Sequence, residues 1–169
     1  MESELLYLVD KDDNVVGSHL RDSETYNLKK NFRVINAFII NSKGELWIPR
    51  RTAHKRLFPL ALDVSCGGHV TFGDSYEDTL RKEVQEELNM MVNAEDCELL
   101  GYLNPHDEGH EKLSAFMKVY LIKSDQTPKY NPDDFIEDYW LKPSELVEKI
   151  EGGEPAKGDL VLLVKRFFS

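Results

Sequence analysis

The strongest periodicity in the chain is the recurrence of Tyr76, Leu80, Val84 and Leu88, one apolar residue every four. That spacing predicts a helix over Ser75–Leu88 with a single buried stripe. Asp74 or Ser75 can cap its start, with Glu77 and Asp78 in the first turn at three-residue spacing. Asn89 falls where the helix should stop, and Asn tolerates the left-handed conformation of a C-terminal cap. Before this helix the pattern favours strands. Leu5–Val9 and Val15–Leu20 flank the turn residues Asp10–Asn14. Phe32–Ile40, rich in β-branched and aromatic residues, reads as a buried strand, followed by the turn Asn41–Gly44 and a strand over Leu46–Arg51. Asp63–Cys66 reads as a short strand interrupted by Gly67-Gly68. After the helix, strands are expected at Cys97–Leu103, Leu113–Ile122 and Phe135–Trp140. Helices are expected at Pro143–Ile150, with Pro near its start, and at Lys157–Phe168. Arg21–Lys30 is polar and weakly patterned, and no element is assigned to it.

Mixed strands and helices without strict β-α alternation indicate an α+β or sandwich arrangement. The 169 residues suit one domain with one sizeable core. No repeat, low-complexity tract or linker interrupts them, and no apolar run approaches the ~20 residues that a membrane-spanning helix needs. The start of the chain carries Glu2, Glu4 and Asp10 and lacks the basic-then-apolar order of a secretory signal, so a cytoplasmic location is expected. Cys66 and Cys97 form no CxxC pair and suit a reducing compartment. A net charge of −10, from 21 basic and 31 acidic side chains, repels nucleic acid polymers and anionic membranes. A polyphosphate ligand would therefore need a divalent cation or a local basic cluster.

The candidate chemistry sits on the predicted helix. At ~100° per residue, Glu83, Glu86 and Glu87 share one wedge of its surface, with Glu87 nearest the apolar stripe. Like charges three and four residues apart cost ~0.2–0.5 kcal/mol per pair, and more when desolvated. A cation reverses that cost, and converging carboxylate oxygens suit a hard ion such as Mg²⁺. A bare E-x-x-E-E is more often a solvated acidic face. The glycine pair ahead of the helix changes that reading, because Gly67-Gly68 brings bare backbone close to whatever the helix binds.

Gly68, Asp74, Lys82, Glu83, Val84, Glu86, Glu87, Asn89 and Met90 resemble the Nudix box, G-x5-E-x7-R-E-U-x-E-E-x-G-U with U aliphatic. The spacing matches throughout, and the kernel is far more specific than a lone short motif. The segment FRVINAFIINSKGELWIPRR and the C-terminal strand and helices are similar to that family too. Three positions depart: Asp74 for Glu, Lys82 for Arg, and Asn89 for Gly. Arg grips a carboxylate with two parallel bonds and Lys does not, so a looser Glu83 is expected.

The resemblance implies a mixed β-sheet core sandwiched between α-helices and a Mg²⁺-dependent hydrolase, with Mn²⁺ as a substitute ion, cleaving a diphosphate linkage in a nucleoside di- or triphosphate or related small phosphoanhydride. It implies Glu86, Glu87 and the Gly67 carbonyl as metal ligands, Glu83 on a second ion or its water, and Lys82 orienting Glu83. Asp107, Glu108 and Glu111 are candidates for a further acid. Of the basic cluster Arg50, Arg51, His54, Lys55 and Arg56, at most one of Arg50 and Arg51 can face the site. Arg51 and Arg56 are expected to grip the substrate phosphates. His106 and His110 are more consistent with a loop than with a metal site. Tyr102, Phe116 and Trp140 are candidates for base stacking, although a buried core role fits most of them better. Two alternatives share the resemblance: a non-catalytic nucleotide-binding module, and an enzyme similar to isopentenyl-diphosphate isomerases. The isomerases place a Cys at the position of Gly67, whereas here Cys66 lies one residue earlier. The sequence leaves oligomeric state open.

Overall fold

The computed structural model describes residues 3–23, 25 and 30–169. Half of the unassigned polar span, residues 24 and 26–29, lies outside the described residues, as does Glu2. Strands β1 (Leu5–Val9) and β2 (Val15–Leu20) form an antiparallel hairpin. Its turn is closed by Asp10, whose Oδ1 accepts from the Asp12 and Asn14 amides at 2.9 Å each.

The main sheet contains β3 (Arg33–Ile40), β4 (Leu46–Arg51), β5 (Cys66–His69), β6 (Glu98–Leu103), β7 (Phe116–Lys123) and β8 (Phe135–Leu141). Its order is β6-β7-β3-β4-β8, with β5 also pairing β3. The β3–β7 pair is parallel and the others are antiparallel, so the sheet is mixed. Side chains of β3 alternate between faces, as the pleat requires. Ile35, Ala37 and Ile39 pack with Tyr76, Leu80, Val84 and Leu88 of helix α1 (Tyr76–Leu88). Phe38 faces the opposite way, toward Leu146 of α2 (Pro143–Glu151) and Leu160, Leu163 and Val164 of α3 (Leu160–Phe168). The sheet is thus sandwiched between helices. Among the described residues no helix is long and apolar enough to cross a membrane.

Three elements differ by more than one residue from those the sequence suggests. The strand expected at Asp63–Cys66 forms at Cys66–His69 and includes both glycines, because their backbones pair with Ile35 and Asn36 of β3. The strand expected from Leu113 starts at Phe116, although Leu113 and Ala115 are buried beside it. The helix expected from Lys157 begins at Leu160. The Lys157 amide is instead committed to the Leu62 carbonyl at 2.8 Å, and Lys157–Asp159 forms a turn closed by the Leu160 amide donating to the Lys157 carbonyl at 3.0 Å.

Candidate active site

Helix α1 starts at a reciprocal cap. Ser75 Oγ accepts from the Asp78 amide at 3.0 Å, and Asp78 Oδ2 accepts from the Ser75 amide at 3.0 Å. Asn89 ends the helix in the left-handed conformation, with φ of 53°. Its side chain donates to the Lys129 carbonyl at 2.6 Å, and the Asn131 amide donates to the Glu87 carbonyl at 2.7 Å. These bonds hold the loop before β8 against the end of α1 and bring Asp134 toward the acids.

Those acids meet β5. Cys66 and Gly68 face α1, whereas Gly67 faces Asn36 and Val64. A Cβ at Gly68 would lie 2.4 Å from Glu83 Cδ, and one at Gly67 would lie 2.7 Å from Asn36 Oδ1. The glycines are therefore required by two different neighbours on two faces. Glu87 Oε1 accepts from the Gly67 amide at 3.2 Å and from the Cys66 thiol at 3.3 Å. Glu83 and Glu87 are half-buried and Glu86 is exposed.

Burial, reinforced by Glu87 and Glu86, pushes the Glu83 carboxyl up to about 9. Burial and Asp63 push Glu87 up to about 7, against the Gly67 amide, which favours its charged form. The buried Cys66 thiol is raised by desolvation and by Glu87, so it stays protonated and donates. Two desolvated carboxyls raised by neighbouring negative charge, beside half-buried glycine backbone, fit a hard divalent cation, which would hold both ionised. Among the described residues no three His, Cys, Asp or Glu side chains are already gathered at metal-binding range. Glu87 is turned to Gly67 and Glu83 lies over Gly68.

The acids open on a cleft of about 1000 Å³. Arg51 lines it and Arg50 does not: the pairing of β4 with β8 shifts between these two residues, and a bulge re-aims side chains. Arg50 pairs instead with Glu137 at 2.9 Å and Glu154 at 2.5 Å. Arg51 Nη1 contacts Asp63 Oδ2 at 2.8 Å. Lys55 lines the cleft and pairs with Asp134 at 2.8 Å, whereas Arg56 is exposed and lies outside the lining. Asp107, Glu108 and Glu111 are outside it as well. Among the acids that join the cleft from other elements are Asp63, Asp134 and Asp159, and Lys157 joins them. No local pattern marks these four, since each arrives through a loop whose path depends on tertiary contacts.

Lys82 Nζ bonds Asp74 Oδ2 at 2.7 Å, rather than gripping Glu83, and Thr71 Oγ1 donates to the same Asp74 oxygen at 2.8 Å. Two of the departures from the box, Asp74 and Lys82, thus pair with each other. His110 Nδ1 lies 2.6 Å from the Asn104 carbonyl and His106 packs on Phe116 at 5.6 Å, in keeping with a structural loop. Phe116 is buried, Tyr102 donates to Asp13 and Trp140 to Thr127, and none of the three lines the cleft.

Comparison with known proteins agrees with this arrangement. The family model for the NUDIX domain matches residues 30–167. An uncharacterised Nudix hydrolase of Nostoc sp. is 54% identical over 167 residues, covering 98% of this chain and 96% of the relative. A crystal structure of a protein from Deinococcus radiodurans superposes with a TM-score of 0.91 at 46% identity, covering 98% of this chain and all of that one. An isopentenyl-diphosphate Delta-isomerase of Photorhabdus laumondii is more distant, 27% identical over 154 residues, covering 89% of this chain and 86% of that protein. The chain belongs to the Nudix family, as a hydrolase of the pyrophosphohydrolase type.

Proposed function

We propose that this protein is a Mg²⁺-dependent hydrolase that cleaves a diphosphate linkage in a nucleoside di- or triphosphate or a related nucleoside diphosphate derivative. The observation that carries the proposal is the approach of Glu83 and Glu87 to the bare backbone of Gly67 and Gly68. Glu86, Glu87 and the Gly67 carbonyl would hold the ion, with Glu83 serving a second ion or its water. When bound, Mg²⁺ polarises the phosphoryl oxygens and lowers the pKa of the attacking water. Glu83, once ionised, would serve as the base that takes the proton from that water.

Arg51, Lys55 and Lys157 supply the positive wall of the cleft. Each faces an acid, Asp63 or Asp134, that keeps it oriented while leaving further N–H donors for phosphate oxygens. The crowding at Gly67 favours hydrolysis over the isomerase alternative: a thiol-bearing side chain there would run into Asn36. Cys66 meanwhile is buried against Glu87.

The test is a panel of nucleoside di- and triphosphates, nucleoside diphosphate sugars and isopentenyl diphosphate, each with Mg²⁺ or with chelator. Mg²⁺-dependent release of phosphate or a nucleoside monophosphate is expected. Dimethylallyl diphosphate as the product, or tight nucleotide binding without turnover, would overturn the proposal in favour of the isomerase or the binding module.

A further inference from the structure

The segment Lys157–Asp159 forms one wall of the cleft, and its two charged residues are used unequally. Asp63, on the same wall, is saturated: Arg51 lies at 2.8 Å, the Val64 amide donates at 2.7 Å and Lys157 lies at 3.8 Å. Asp159 is only 6% exposed and lines the cleft, yet its Oδ1 has no hydrogen-bond partner. It stands at the N-cap of α3 but its side chain makes no capping bond. Among the described residues it forms no ion pair, since Lys157 reaches Asp63 instead. A buried acceptor without a donor is costly, and folded chains rarely keep one unless something else completes it.

We propose that Asp159 is a specificity-determining residue, its carboxylate accepting a hydrogen bond from a hydroxyl or amino group on the organic part of the substrate. The proposal rests on the diphosphate reading of this site. A phosphate would be repelled by the carboxylate, and Lys157 and Arg51 already offset the negative charge of this wall. Oδ1 itself has under 1 Å² of accessible surface, so the contact requires a turn of the Asp159 side chain that brings the oxygen to the cleft face, where a neutral O–H or N–H donor would satisfy it. The surroundings suit a flat organic group. Phe58 and Leu57 line the same cleft with 45% and 47% of their surface exposed. A Cβ at Gly158, next to Asp159, would lie 3.5 Å from the Phe58 ring. Phe58 thus offers an apolar ledge beside the acceptor, and such a pairing of apolar surface with a single polar group orients a ligand.

The test is calorimetric titration of the full chain, with Mg²⁺ present, against the non-hydrolysable α,β-methylene analogue of adenosine diphosphate. Parallel titrations use its purine riboside counterpart (no amino group), its 2′,3′-dideoxy counterpart (no sugar hydroxyls) and methylenediphosphonate alone. Removing the recognised donor should weaken binding about tenfold or more, since a site built to bond a donor rejects analogues lacking it. Whichever stripped analogue suffers identifies the base amine or the sugar hydroxyls as the source. Asp159→Ala should weaken the parent compound equally while leaving that stripped analogue and methylenediphosphonate within about twofold, the signature of a direct pairwise interaction. Asp159→Asn, which retains an acceptor oxygen, should recover part of the discrimination. A purely structural role would not distinguish the ligands. The inference is overturned if the wild type binds all four compounds alike, or if Asp159→Ala weakens all of them to the same extent. Failure of the hydrolase reading would appear separately, as an absence of Mg²⁺-dependent turnover, with the binding comparison still readable.

Discussion

The carboxyl of Glu83 occupies the space that a side chain at Gly68 would need, 2.4 Å from where a Cβ would stand. Neither residue can be read alone: the glycine makes room for the acid, and the acid explains the glycine. Gly68→Ala should displace the flexible end of Glu83 rather than break the fold. Activity is expected to fall about 100-fold, the usual worth of a positioned acid or base, with little change in melting temperature. Gly67→Ala meets Asn36 at 2.7 Å and the Ile35 backbone at 3.3 Å, which cannot swing away. It should destabilise by about 1–3 kcal/mol, as overpacking does. Kinetics and thermal melts on the two variants would test this contrast.

Glu87→Gln should remove most activity while leaving the fold intact, because the amide still accepts from Gly67 but no longer supplies a charged oxygen. Near wild-type turnover would show that the acids are misassigned.

Lys82→Arg should maintain or raise activity. Arg can keep the bond to Asp74 and also present a second donor toward Glu83. A large loss of kcat at unchanged stability would argue that the Asp74–Lys82 pair is needed as it stands.

Metal-free protein should lose stability as pH rises. Glu83 and Glu87 ionise near 4.5 when unfolded, but at about 9 and about 7 when folded. The folded state therefore binds more protons across that interval. The stabilisation is complete below pH 4.5 and is lost progressively as pH climbs through 7 to 9. Melts in chelator should show this decline, Glu83→Gln should flatten it, and Mg²⁺ should reverse it in proportion to its concentration.

Asp13 joins the β1–β2 hairpin to the main body. It takes Arg33 Nε at 2.7 Å and the Tyr102 hydroxyl at 2.5 Å, with Tyr76 at 3.4 Å. Asp13→Ala strands a largely buried Arg33 and should cost about 3 kcal/mol in denaturant unfolding.

The sequence was most legible where one segment carries its own instructions. Helix α1 obeys its apolar spacing, its Ser75 cap and its Asn89 stop, because these depend on neighbours within a few residues. It was least legible where a side chain is defined by something distant. Arg51 and Lys55 line the cleft while Arg56 does not, and composition treats the three alike. Asp63, Asp134 and Asp159 line the cleft and the acids of the 107–111 loop lie outside it, because the bonds of Asn131 to α1 and of Lys157 to Leu62 route those chains to the cleft.

By itself, then, the order of residues determined most of the strands and helices, the acid trio on one face of α1 and the glycine pair before it, since periodicity and local capping act over short range. Tertiary structure decided which charges share the cleft, that Lys82 serves Asp74, and that Asp159 Oδ1 is buried without a hydrogen-bond partner. Burial and pairing arise only when segments far apart in the chain exclude water from one another.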